Sequence, residues 1–143
     1  ISQKERKNSY SRLNSCKTFA YNQSIQARIE AKEAGSDDAL LLNTEGYMCC
    51  GTTGNIIVKR ENIFLTPSLE IGCLPGIMRQ RGIDLKIFKI CNINLIPEDE
   101  DEWFLINSLS CRKIEKIDNK YLKMSTNPRD LWYKLLTTKN IDQ

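Results

Sequence analysis

The sequence predicts a single α/β domain, and three observations carry that prediction. Apolar and small residues recur at helical spacing from Thr18 to Ala34, with Phe19, Ile25, Ala27, Ile29, Ala31 and Ala34 on the pattern. Short apolar runs bounded by turn residues fill Ala39 to Leu65, as expected of buried strands. A closing amphipathic stretch, Pro128 to Thr138, adds a further helix. At 143 residues the chain is one domain long, and 41% hydrophobic with 27% charged residues is enough apolar material for a core.

The elements follow in order. Residues 1–16 are polar and lead through a strand or loop to Cys16. The first helix is expected to begin just after Lys17 and to stop at Gly35, whose freedom suits a C′ position. Ala39 to Leu42 is a buried strand, Asn43 to Gly46 its turn, and Tyr47 to Cys50 the returning strand. Asn55 to Lys59 and Ile63 to Leu65 pair across Glu61-Asn62, which makes a meander of short antiparallel strands. Pro75-Gly76 opens a second helix expected to run to about Ile90, since Pro is tolerated in a first turn. Ile93 to Ile96 is a short apolar stretch, and Pro97 to Glu102 reads as a solvated acidic turn rather than a cation site. Trp103 to Ile106 and Ile114 to Ile117 are further strands, and Asp118-Asn119-Lys120 a turn.

Composition narrows the function. The net charge of +3, from 21 basic and 18 acidic residues spread along the chain, forms no basic stripe, so neither nucleic acid nor a membrane is expected as partner. No apolar run approaches the roughly 20 residues of a membrane span, and the polar start Ile1 to Arg6 does not resemble a secretory signal. A cytoplasmic protein acting on a small molecule is expected. The six cysteines lack Cys-x-x-Cys spacing, so most of them read as buried small hydrophobes rather than metal ligands. Because there is no histidine, Ser-His-Asp and Cys-His catalysis are excluded, and lysine becomes the leading candidate for base or nucleophile.

One lysine has the right neighbours. Lys17 stands at the predicted entry to the first helix, where a lysine can be fixed by the backbone and point into a cavity to form a Schiff base. Gly51-Thr52-Thr53-Gly54-Asn55 supplies hydroxyls and flexible backbone. Gly76-Ile77-Met78 can present unpaired amides at a helix N-terminus, where an anion is stabilised.

Lys17-Thr18-Phe19-Ala20-Tyr21 with Glu30-Ala31 and Gly35, then Gly46 through Asn55, then Leu74-Pro75-Gly76-Ile77-Met78-Arg79-Gln80, resembles the class IV aminotransferase family from about Ser11 to Ser110. That family comprises branched-chain and D-amino-acid aminotransferases and 4-amino-4-deoxychorismate lyase, all using pyridoxal 5′-phosphate. The resemblance implies the larger, C-terminal domain of the type IV pyridoxal phosphate fold, a strand-rich pseudo-barrel flanked by helices. It implies that Lys17 bonds the cofactor and moves protons on the substrate. By the same resemblance Gly76 and the amides of Ile77 and Met78 hold the phosphate, with Asn107-Ser108 as further contacts, and the protein is a homodimer. Met78 stands where aminotransferases of the family usually have Thr, and Gly-Ile-Met-Arg-Gln with Asn107-Ser108-Leu109 matches the lyases more closely.

Three departures shape the expectation. Cys50 stands where the family has a glutamate on the pyridine nitrogen, and a thiol holds a pyridinium less well than a carboxylate. Transamination suffers most from that change, whereas elimination driven by aromatisation tolerates it. Ala20, Asn22 and Gln26 replace residues that the family more often has as Asn, Leu and Leu. The family's smaller N-terminal domain has no counterpart after Ile1, so residues 1–143 are expected to be the cofactor-binding domain of a longer protein, inactive in isolation. The expected activity of the whole is conversion of 4-amino-4-deoxychorismate to 4-aminobenzoate and pyruvate in folate synthesis. The alternatives are a branched-chain or D-amino-acid aminotransferase, and a non-catalytic homologue that has lost the cofactor.

Overall fold

The computed structural model describes residues 1–139. In chain order the strands are β1 (Arg6–Lys7), β2 (Leu40–Asn43), β3 (Met48–Gly51), β4 (Asn55–Arg60), β5 (Ile63–Thr66), β6 (Phe88–Ile90), β7 (Glu102–Ile106), β8 (Cys111–Ile114), β9 (Lys116–Ile117) and β10 (Lys120–Tyr121). The helices are α1 (Asn22–Glu33), α2 (Ile77–Asp84) and α3 (Pro128–Thr137). Strands β1 to β8 form one mixed sheet, with β9 and β10 a separate hairpin.

Strand β4 is the branch point. Along one edge it pairs with β7 from Asn55↔Ile106 to Lys59↔Glu102. Its other edge is shared, with β3 at Asn55↔Cys50 and β5 from Val58↔Leu65 to Arg60↔Ile63. Both faces of the central strands are covered, which is why β2, β4 and β7 read as unbroken apolar runs rather than alternating ones. Alternation is still present in three dimensions. Leu40, Leu42, Ile56, Val58, Trp103 and Leu105 pack on one face. On the other, Leu41 packs beneath Ala27 and Ala31 of α1, and Ile57, Phe104 and Ile106 pack beneath Met78 of α2 and Leu131 and Leu135 of α3.

The antiparallel meander stands as read, from β2 through β5. Several boundaries do not. Helix α1 starts at Asn22, four residues later than expected: Phe19 is fully exposed, so no packing draws the preceding residues into the helix. Helix α2 ends at Asp84 rather than near Ile90. Lys86 takes φ 56°, and Phe88 folds back so closely on Gly82 that a Cβ there would lie 2.2 Å from its ring. Phe88 to Ile90 then pairs in parallel with β5. The apolar stretch Ile93 to Ile96 is coil, and the Ile93 carbonyl accepts from the Met48 N–H. Residues 114 to 117 split between β8 and β9.

The solvated acidic turn is half right. Glu98, Asp99 and Glu100 are exposed, but Asp101 and Glu102 are buried at 0% and 3% exposure. Arg60 grips Asp101 with two bonds of 2.9 and 2.8 Å. Glu102 accepts from Lys59, Ser125 Oγ, and both the N–H and hydroxyl of Thr126. Burial alone would push the Glu102 carboxyl up; those bonds outweigh it and bring it down to about 2. Among the described residues, no helix is long and apolar enough to cross a membrane.

Candidate functional site

One end of the β3/β4/β7 group gathers most of the sequence-predicted residues. The register Cys50↔Asn55 and Asn55↔Ile106 sets the ends of three strands side by side. The turn between β3 and β4 closes with the Gly51 N–H donating to the Gly54 carbonyl at 2.9 Å. Beyond β7, Asn107 Nδ2 donates to the Thr53 carbonyl at 3.2 Å, while Asn107 Oδ1 accepts from the N–H groups of Leu109 and Ser110 at 2.9 Å each. Asn107 therefore ties its own turn to the glycine-threonine turn. Ser108 sits exposed within that turn.

Asn55, the last residue of the glycine-threonine motif and given no role of its own by the sequence, joins this cluster to α2. Its Nδ2 donates to the Leu74 carbonyl at 2.8 Å, and a Cβ on Gly76 would lie 2.1 Å from its Oδ1. Only glycine permits the start of α2 to approach the sheet so closely. The signal was an amide residue, unfavourable in strands, at the head of a buried apolar strand. At α2 itself Gly76 is the N-cap, no side chain caps the helix, and its first turn carries no acidic residue. The first-turn N–H groups of Ile77 and Met78 thus have no partner within the helix. The Met78 side chain is in the core and the Ile77 side chain is 75% exposed, so each offers its amide rather than its side chain.

Lys17 lies apart from this cluster. It is exposed in the coil between the 3₁₀ turn Arg12–Ser15 and α1, and its amine joins no ion pair or hydrogen bond among the described residues. The segment leading to it does face the segment leading to Gly76. A cavity of about 260 Å³ lies between Ser9 to Ser15 on one side and Leu69, Cys73 and Pro75 on the other. A larger cavity of about 550 Å³, lined by Arg6, Leu42, Leu95 to Pro97 and Ile117 to Lys120, contains none of the predicted site residues.

Behind the cluster are three buried thiols. Leu41 pairs with Cys50 and Leu42 with Met48, so Cys49 is an extra residue in β3, a bulge. The bulge brings adjacent Cys49 and Cys50 into the same apolar cluster, together with Cys73. The interaction between the two thiols, with burial second, pushes Cys49 up, and the same interaction lowers Cys50. Burial pushes Cys73 up to about 11. Cys16 and Cys91 are exposed, so the reading of the cysteines as core residues holds for only part of the set. Among the described residues, no group of histidine, cysteine or carboxylate side chains could hold a metal ion.

Comparison with known proteins places this arrangement. The family model described as "Amino-transferase class IV" matches residues 1–117. A probable branched-chain-amino-acid aminotransferase of Rickettsia bellii is 45% identical over 65 residues, 46% of this chain and 22% of that relative. A solved structure of a putative 4-amino-4-deoxychorismate lyase from Legionella pneumophila superposes with TM-score 0.81 at 29% identity, over 92% of this chain and 52% of that one. The branched-chain aminotransferase of Thermoproteus uzoniensis, solved with norvaline, gives TM-score 0.81 at 27% identity over 95% of this chain and 48% of that one. The chain thus spans about half the length of these solved relatives and aligns to less than a quarter of the Rickettsia one. With the model matching most of its length and the fold shared, the chain belongs to the class IV aminotransferases, a family of pyridoxal phosphate-dependent enzymes.

Proposed function

We propose that this chain forms the pyridoxal phosphate-binding half of a class IV enzyme whose reaction is elimination of pyruvate from 4-amino-4-deoxychorismate. The residues present fit the cofactor at two of its ends. The uncapped amides of Ile77 and Met78, reached across Gly76 and free of any first-turn carboxylate, are donors without a competing anion, as a phosphate needs. Lys17 offers an exposed amine for the aldehyde. Asn107 and Ser108 complete the phosphate side through the turn that Asn107 holds in place. When bound, the cofactor supplies a conjugated ring that accepts the electron pair left on a substrate carbon as one of its bonds breaks.

The chain's own groups do the rest. Lys17 Nζ would hold the cofactor at its aldehyde carbon, and its free amine would take a proton from the substrate and return one during loss of pyruvate. The observation that carries elimination over amino-group exchange is Cys50, buried on β3 at the position of the family's carboxylate. A thiol there leaves the ring a poorer electron sink, which a reaction driven by aromatisation tolerates best. Amino-group transfer on branched-chain amino acids is the second reading, favoured by relatives of that description at up to 45% identity. The assay that decides uses the protein that carries this chain, loaded with pyridoxal phosphate. Release of 4-aminobenzoate with no keto-acid acceptor supports elimination; turnover that strictly requires an acceptor sinks it.

A further inference from the structure

Arg79 is the third residue of α2 and only 1% exposed. Its Nη2 donates to the Pro67 carbonyl at 2.6 Å, while its Nε–H has no partner. The ionisable group acting on it is the thiol of Cys73, which burial keeps protonated and uncharged at neutral pH. A buried charge is ordinarily paired, because removing it from water is costly. Here desolvation presses the guanidinium towards its neutral form with no carboxylate to oppose it. Arginine keeps its proton regardless, so the cation stays in place.

Its position makes that charge useful. The Arg79 backbone stands two residues beyond Ile77, about 3 Å along the axis in the first turn of α2. Its bond to Pro67 lies at the base of the loop that carries Cys73, Leu74 and Pro75 into the helix. The positive end of the helix and a buried guanidinium therefore act in the same sense, in a setting where solvent screens them weakly.

We infer that Arg79 is an additional countercharge of the phosphate group, a positioning residue whose buried cation is balanced when a phosphate monoester sits at the start of α2. This rests on the cofactor reading above and adds a residue that acts from behind the amides. A residue with a purely structural role would affect every ligand alike, so the test compares pyridoxal phosphate with pyridoxal, which differs only by the phosphate. The ratio of their affinities, read by absorbance titration of the protein, should fall about tenfold in Arg79→Met and stay near wild type in Arg79→Lys. Inorganic phosphate should raise the melting temperature of wild type more than that of Arg79→Met. If Arg79→Met does not fold, the wild type still decides. The Arg79 Nε–H NMR signal, assigned by its loss in Arg79→Lys, should move with phosphate or pyridoxal phosphate and stay still with pyridoxal. An unchanged affinity ratio, or a signal that ignores phosphate while pyridoxal phosphate binds, overturns this inference alone. Wild type that binds neither ligand overturns the cofactor reading and this inference with it.

Discussion

The two ends of the β4/β7 pair handle buried polar groups in opposite ways. At one end Lys59 faces Glu102 across the ladder, and next to them Arg60 clasps Asp101. Each of those carboxylates is bonded by several donors, and the network joins the strands to residues Ser125 and Thr126 ahead of α3. At the other end Asn55 faces Ile106, and the neighbouring groups keep donors in reserve: the first amides of α2 have no partner within the helix, and Arg79 Nε has none at all. A saturated polar network holds a fold together, while an unsaturated one leaves donors that a ligand could satisfy.

The largest effect is expected at Lys17, the amine proposed to serve the open end. Lys17→Ala should lower turnover roughly 10³-fold or more and abolish the absorbance of the lysine-bound cofactor. Because Lys17 is exposed and makes no contact that the fold depends on, the denaturation midpoint of the apo protein should not change. Retained absorbance at the wild-type wavelength would show that another amine holds the cofactor.

Breaking the closed end should do the reverse. Glu102→Ala removes the carboxylate partner of Lys59 and the acceptor of the Thr126 N–H and should cost about 3 kcal/mol in urea denaturation. The ratio of pyridoxal phosphate to pyridoxal affinity should be unaffected. The same carboxylate governs acid sensitivity. Its folded pKa of about 2 lies below the ordinary 4.5, so its contribution is fully present above 4.5 and is lost as the pH falls towards 2. Glu102→Gln should flatten that part of the stability profile; an identical acid limb in the variant would assign it to other groups, Asp101 first among them.

A smaller change sharpens the contrast where the two halves meet. Gly76→Ala puts a methyl 2.1 Å from Asn55 Oδ1, so the Asn55 amide must turn and weaken its bond to Leu74. The expected cost is about 1–2 kcal/mol in stability. Because the start of α2 is pushed off the sheet, phosphate affinity measured by thermal shift should fall as well. If the melting temperature falls and the phosphate response does not, the close approach serves packing only.

Much of this was legible along the chain. Apolar runs long enough for strands, glycine at Gly35 to stop α1, and Pro75-Gly76 before α2 are local signals, and the structure places those elements near the expected positions. Boundaries failed where a distant partner decided them. The end of α2 depends on Phe88 returning to Gly82 and on β6 pairing with β5. Glu98 to Glu102 reads as one acidic run, yet only its last two members are buried, because the donors that satisfy them come from Lys59, Arg60, Ser125 and Thr126.

The candidate site divides in the same way. Sequence alone determined the family, through Lys17, the turn ending at Asn55 and the stretch from Leu74 to Gln80, because those motifs are contiguous and their residue types are restricted by the chemistry they serve. The resemblance also sets Cys50 where the family is expected to carry a carboxylate. Tertiary structure alone decided that Asn55 bridges the sheet to α2, that a bulge at Cys49 groups the thiols, and that Arg79 is buried with a donor unpaired. Those facts depend on burial and on partners brought together by strand pairing. Neither is a property of a residue or of its neighbours in sequence; both exist only once the chain has closed around them.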